Sequence, residues 1–112
     1  MSPEKSLPPH ILMCPPEFYG IEYEINPWMS RSRQADREIA YQQWRGLTEI
    51  LTQLGVNLSL LDPQPGLPDL VFTANAALIY KQRAILSHFR HVQRQGEESH
   101  CAAWFEEHGF TV

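Results

Sequence analysis

Few side chains in this sequence could make or break bonds. Cys14 and Cys101 are its two thiols, and its five histidines are scattered. Cys14 ends an apolar run before two prolines, and Cys101 falls on the apolar side of a helical pattern. Both read as buried cysteines that pack as small hydrophobes. His88 and His91 surround Arg90 in a stretch rich in His, Arg and Gln. Ligand contact is one reading of them. Solvated or locally bonded histidine fits better, because no neighbour completes a base-and-orienter pair. There is no glycine-rich phosphate loop, no metal-spaced cluster and no nucleophile elbow, so neither a metal nor a cofactor is expected. The stretch from Pro68 to Ala77 differs from the rest. It puts Asp69, Thr73 and Asn75 into a segment otherwise suited to burial. Buried polar side chains are costly unless they are bonded internally or to a ligand. Asp69 and Asn75 therefore either tie down neighbouring turns or face a ligand.

The elements that would position these groups follow a β–α–β rhythm. His10 to Cys14 reads as a short buried strand stopped by Pro15 and Pro16. Residues 17–32 form a long loop rich in aromatics, a type that often carries function. Ala40, Trp44, Leu47, Leu51 and Leu54 are spaced as one face of an amphipathic helix, predicted over 34–54 with Gly55 as its stop. Trp44, Leu47, Leu51 and Leu54 are expected to be buried against a sheet. Val56, Leu58 and Leu60 alternate as a half-buried strand does, and Asp62 to Gly66 is a turn. Leu70 to Phe72 is expected to be a further strand. Ala77–Tyr80 and Ala84–Leu86 should pair across Lys81, Gln82 and Arg83. A loop over 87–96 and a helix over 97–107 follow, with Cys101, Trp104, Phe105 and His108 on one face. Phe110 to Val112 reads as the start of another strand, which predicts a truncated fold.

Composition sets the outer limits. The chain has 112 residues, 43% of them hydrophobic, enough for one small domain with a modest core. Its formal charge of -4, with no basic block, argues against nucleic-acid binding. No apolar run is long enough to span a bilayer. Residues 1–9 read as a loose, Pro-rich tail without the apolar centre of a signal peptide, so a cytoplasmic location is expected. Two distant cysteines make neither a zinc knuckle nor a disulfide framework.

The stretch Pro68 to Ala77 resembles the first active-site motif of the guanidine-modifying superfamily, the pentein or amidinotransferase-like fold. The arginine dihydrolase branch is the most similar. Ile11–Pro16 with Tyr23–Met29 resembles the opening strand and substrate loop of that branch. Arg94–Glu98 resembles its carboxylate-binding loop, and Ala103–Phe110 the helix that follows. Over residues 10–112 the resemblance implies an α/β fold, a partial pentein propeller of about the first two β–α modules. It implies hydrolysis of arginine to ornithine, ammonia and carbon dioxide. Asn75 matches the position facing the guanidinium, where deiminases usually hold Asp. Asp69 matches an acidic position able to bind or orient substrate, Asn26 a loop residue touching substrate, and Arg94 a group gripping the α-carboxylate.

The sequence departs from that pattern in places. The covalent step of the family needs a nucleophilic Cys and an acid–base His. In the family both lie well downstream of the matched segment, and neither Cys14 nor any histidine here matches them. The family's second acidic motif, after the Phe110 strand, is absent, and Ala77 stands where Gly is frequent. The chain alone is thus expected to be inactive. It would bind arginine or ornithine as the N-terminal segment of an arginine dihydrolase, with oligomerisation through the full-length enzyme. The second reading is a non-catalytic truncated paralogue that binds arginine or docks onto a full-length homologue.

Overall fold

The computed structural model describes residues 9–34 and 36–112. The expected tail lies outside these residues except for Pro9. Strand β1 (His10–Met13) pairs in parallel with β2 (Asn57–Leu60), in register from His10 opposite Asn57 to Met13 opposite Leu60. Parallel strands need a long crossover, supplied here by the aromatic loop and helix α1 (Arg37–Gln53). The helix starts later than the predicted position 34 because Asp36 caps it. One Asp36 carboxylate oxygen accepts the N–H groups of Glu38 and Ile39. Gly55, at φ +86°, ends the turn in the left-handed region that favours glycine.

The expected burial of the α1 face is corrected. Leu47 and Leu54 are 48% and 73% exposed, and Trp44 and Leu51 are only half-buried. Ala40, Trp44, Thr48 and Leu51 make up the partly covered side, while Ile39, Leu47, Ile50 and Leu54 form an open stripe beside it. A two-stranded sheet is too narrow to cover an apolar face that wide. β2 likewise ends with Leu60 turned out and Leu61 turned in, at 4% exposure.

The strand expected at Leu70–Phe72 is also corrected. Two 3₁₀ turns, Pro68–Val71 and Thr73–Asn75, stand in its place. Pro68 cannot donate to a ladder. The backbone instead bonds locally, Leu70 N–H to the Leu67 carbonyl and Phe72 N–H to the Asp69 carbonyl. Leu70 is still buried, in line with the segment's apolar character. The Thr73 hydroxyl donates to the Leu12 carbonyl at 2.7 Å and ties the second turn to β1.

The expected hairpin forms, with Arg83 in its second strand and not in the turn. β3 (Ala77–Tyr80) and β4 (Arg83–Leu86) are antiparallel, Tyr80 opposite Arg83, with Lys81 at φ +53° in the connection. Thr111 bridges Arg83 in parallel, so Phe110 to Val112 does approach the sheet as a strand would. The expected loop over 87–96 contains a short helical turn, α2 (Val92–Gln95), and α3 runs over Glu97–Glu107. The core joins Cys14, Leu61, Leu70, Ala76, Ala84, Cys101 and Phe105, with Trp104 and Phe110 packed against it. It sits between β1, the 3₁₀ segment, the hairpin and α3. Neither thiol is accessible. Burial, with smaller contributions from nearby acidic groups and, for Cys14, from Cys101, pushes Cys14 up to about 12 and Cys101 to about 11.

Two outcomes follow from this packing. Phe105→Ala should cost about 3–5 kcal/mol, and Leu47→Ala no more than about 0.5 kcal/mol, in urea melts of the chain. Equal losses would contradict the packing. Both thiols have folded pKa values above the ordinary 9.0. Their stabilisation is complete below that value and declines as pH rises towards 11 and 12. Melts above pH 9 should show this loss, and Cys14→Ala with Cys101→Ala should flatten it.

Candidate functional site

The long loop is held in shape by its own polar groups. The Asn26 side-chain oxygen accepts the N–H groups of Trp28 (3.0 Å) and Met29 (3.1 Å), closing a turn around Pro27. Gln34 clamps the loop's base. Its oxygen accepts Ile21 N–H at 2.9 Å, and its amide donates to the Ile21 and Arg31 carbonyls. Arg37 donates to the Tyr19 carbonyl at 2.8 Å. Tyr19 meets Phe72 edge-to-face at 5.9 Å between centroids, which fixes the loop beside the 3₁₀ segment.

The opposite wall is organised by Arg94. Its Nε donates to Glu97 Oε2 at 2.8 Å and its Nη2 to Glu97 Oε1 at 2.9 Å, a two-point fork. Nη2 also donates to the Asp69 carbonyl at 3.1 Å, and Nη1 to Asn75 Oδ1 at 3.0 Å. The guanidinium lies 4.4 Å from the centroid of the Phe89 ring. Burial opposes the charge on Arg94, but the hydrogen bonds and negative charge of Glu97 outweigh it, so its pKa is raised. Four of the five guanidinium N–H groups have partners among the described residues. A guanidinium can only donate, so the oxygen of the Asn75 amide must be the atom facing Arg94. Asn75 presents its NH₂ elsewhere.

Asp69 is buried, at 7% exposure, and receives the Tyr23 hydroxyl on Oδ2 at 2.6 Å. Burial and the Asp69 hydrogen bond hold the Tyr23 phenol above its usual range. Tyr23 thus stays a donor at any ordinary pH. It occupies one carboxylate oxygen and leaves the other without a side-chain partner among the described residues.

These walls enclose a depression of about 420 Å³. Asn26, Asp69, Asn75 and Arg94 all line it, together with Tyr19, Ile21, Ile25, Trp28, Met29 and Phe72. Aromatic and aliphatic sides with a few converging polar groups suit a small polar ligand. A second depression, about 280 Å³, lies between Leu61 and Trp104. Among the described residues, no histidine lines the depression shared by Asn26, Asp69, Asn75 and Arg94. His88 contacts Glu98 at the surface, 3.3 Å away, and His91 precedes α2. Among the described residues no three His, Cys, Asp or Glu side chains group closely enough to hold a metal ion. No helix of the described residues is long and apolar enough to cross a membrane. Tyr23 and Glu97 fall inside stretches matched to the substrate loop and the carboxylate-binding loop, but sequence reasoning gave neither a role of its own, and it passed over Phe89. The three-residue spacing of Arg94 and Glu97 was a legible signal for their pairing. Phe89 gave none.

The sequence model of the family described as N,N dimethylarginine dimethylhydrolase, eukaryotic, matches residues 21–112. The bifunctional arginine dihydrolase/ornithine cyclodeaminase AgrE of a Nostoc species is 48% identical over 102 residues, covering 90% of this chain. The chain spans only 14% of that relative's length. The crystal structure of an AgrE mutant with L-arginine superposes with a TM-score of 0.87 at 44% identity, over 94% of this chain and 16% of that one. A dimethylarginine dimethylaminohydrolase adduct, 21% identical, matches with a TM-score of 0.70 over 92% of this chain and 38% of that one, a likeness of fold alone. The fold is the partial pentein arrangement expected from the sequence. With its motifs, its fold and its match to the family model in agreement, the chain belongs to the N,N dimethylarginine dimethylhydrolase (eukaryotic) family.

Proposed function

We propose that this chain forms the substrate-binding N-terminal segment of an arginine dihydrolase-type hydrolase, which converts arginine to ornithine, ammonia and carbon dioxide. The observation that carries the reading is the single depression lined by Asn26, Asp69, Asn75 and Arg94. Its similarity to AgrE, an arginine dihydrolase solved with L-arginine, supports the same ligand. Arginine has a cationic end and a carboxylate end, so its pocket needs acceptors at one end and a donor cation at the other. Asp69 is the acceptor for the guanidinium, held on one oxygen by Tyr23 and open on the other. The Asn75 oxygen has a second lone pair for a guanidinium N–H, and its NH₂ can hold a water or an oxygen of an intermediate. The Asn26 oxygen is taken by its own turn, so its NH₂ is the group available to ligand. Arg94 offers the carboxylate its remaining Nη1 N–H. Ornithine fits the same pocket as product.

Binding, and not bond cleavage, is the role assigned to this segment. A thiolate attacks a guanidinium carbon only if it is exposed and ionised. Cys14 and Cys101 are 1% and 2% exposed, with pKa values pushed up to about 12 and about 11. A nucleophilic cysteine and an acid–base histidine would have to be supplied by other parts of a complete enzyme. Cytoplasmic location and assembly through the full-length enzyme belong to the same reading. Two unpaired buried thiols suit a reducing compartment.

The chain with L-arginine should bind the ligand but release no ammonia, and Cys14→Ala should change neither result. Ammonia release abolished by Cys14→Ala would overturn the assignment of that thiol. In a full-length relative, the substitution equivalent to Asn75→Asp should raise citrulline at the expense of ornithine. A fixed carboxylate would hold water and intermediate differently from an amide. An unchanged product ratio would contradict the role given to Asn75.

A further inference from the structure

Phe89 lies outside the stretches matched to the family motifs. It does not line the depression that Asn26, Asp69, Asn75 and Arg94 share. Its ring nevertheless covers one face of the Arg94 guanidinium, whose central carbon is 4.4 Å from the ring centroid. Arg94 and Asn75 form a wall with two sides. One side faces the ligand depression, and the other faces a separate depression of about 630 Å³ that Phe89 also lines. Phe89 therefore stands behind the wall, where it touches Arg94 and not a ligand in front of it.

The bonds of Arg94 leave a gap that this ring fills. Its nitrogens donate to Glu97, Asn75 and the Asp69 carbonyl. Guanidinium N–H groups point outwards in the plane of the group. Bonds in that plane resist sliding and turning within it, but they resist tilting out of it far less. A contact on the face opposes the tilt. It also keeps water of the outer depression off the cation, and the negative face of an aromatic ring suits a positive charge. The ring is itself held in place. Phe89 N–H donates to Glu98 Oε2 at 2.9 Å, and the Phe89 carbonyl accepts the Gln95 side-chain amide at 3.1 Å. Both partners belong to the corner between α2 and α3 that carries Arg94. Two residues earlier, Ser87 N–H donates to the Ala76 carbonyl at 3.0 Å, next to Asn75. Ring, guanidinium and Asn75 thus share one frame.

We propose that Phe89 is a positioning residue that acts through Arg94. It holds the guanidinium against tilting and shields its outer face, so that the remaining Nη1 N–H meets a ligand carboxylate at a fixed angle and with less competition from water. This rests on the arginine-binding reading above, in which Arg94 takes the α-carboxylate. The effect belongs to that end of the ligand. The other end depends on Asp69, whose carboxylate is held by Tyr23 and not by Arg94.

The test compares the unsubstituted chain with Phe89→Ala, Phe89→Leu and Phe89→Tyr. The probes are L-arginine and its decarboxylated analogue agmatine, which has the guanidinium but no carboxylate. In calorimetry Phe89→Ala should weaken L-arginine by about tenfold and agmatine by less than about threefold. Phe89→Tyr keeps an aromatic face and should bind L-arginine within about threefold of the unsubstituted chain. A merely structural role would weaken both probes alike, so an unchanged ratio between them in Phe89→Ala would overturn the proposal. If Phe89→Ala does not fold, Phe89→Leu takes its place. It keeps apolar bulk without a flat face, and the same shift in the ratio is expected.

A ligand-free measurement separates the positioning from the arginine-binding reading. In ¹⁵N NMR spectra the Arg94 Nε–H should exchange with water slowly in the unsubstituted chain and in Phe89→Tyr, and about tenfold faster in Phe89→Ala or Phe89→Leu. Equal exchange in all of them would overturn the positioning. If the unsubstituted chain binds neither probe, the arginine-binding reading fails and the carboxylate effect fails with it. The exchange rates would still decide whether Phe89 holds Arg94.

Discussion

The structure around the pocket depends on a buried ion pair between Arg94 and Glu97. Isolated, either charge would be expelled from a site this dry, and removing one partner of such a pair costs about 3–5 kcal/mol. Together they tie three separate pieces of chain to one plane. Glu97 anchors that plane to α3. The Asp69 carbonyl brings in the first 3₁₀ turn, and the Asn75 oxygen brings in the second. Neither turn has regular sheet bonds to hold it in place. Their local i→i+3 bonds set their shape, and the guanidinium, together with the Thr73–Leu12 bond, sets where they sit.

The same constraint explains why polar side chains are tolerated in a segment suited to burial. Thr73 is satisfied by the Leu12 carbonyl, Asp69 by Tyr23 and Asn75 by Arg94. The choice left open by the sequence, turn-tying or ligand-facing, thus has no single answer. Asp69 and Asn75 each have one polar atom engaged within the protein and both line the depression. The internal bond holds the side chain in one rotamer, and the remaining polar atom is then presented in a defined direction, as recognition of a planar guanidinium requires.

Much of this was legible in the sequence wherever local chemistry decides the outcome. The hairpin over 77–86, the stop at Gly55 and the α3 boundaries were set by residues close in the chain. The four residues matched to the family motifs fall in one depression because the motifs already encode which loops meet. The failures have tertiary causes. Apolar spacing in α1 specified a helix but not what would cover it, and Leu47 and Leu54 face outwards. The apolar run at Leu70 to Phe72 looked like a strand, but Pro68 and a lack of ladder partners made it a 3₁₀ turn. Tyr23 reaches Asp69 across forty-six positions of chain, a pairing that no local pattern reveals.

The central claim is that the Arg94-organised depression is a guanidine site. A crystal structure of the chain with L-arginine tests it most directly. The account predicts the ligand's guanidinium within hydrogen-bonding distance of the Asp69 carboxylate and the Asn75 amide, with the Arg94–Glu97 fork unchanged. Ligand bound instead between Leu61 and Trp104, or a guanidinium that displaces Arg94 from Glu97, would contradict it.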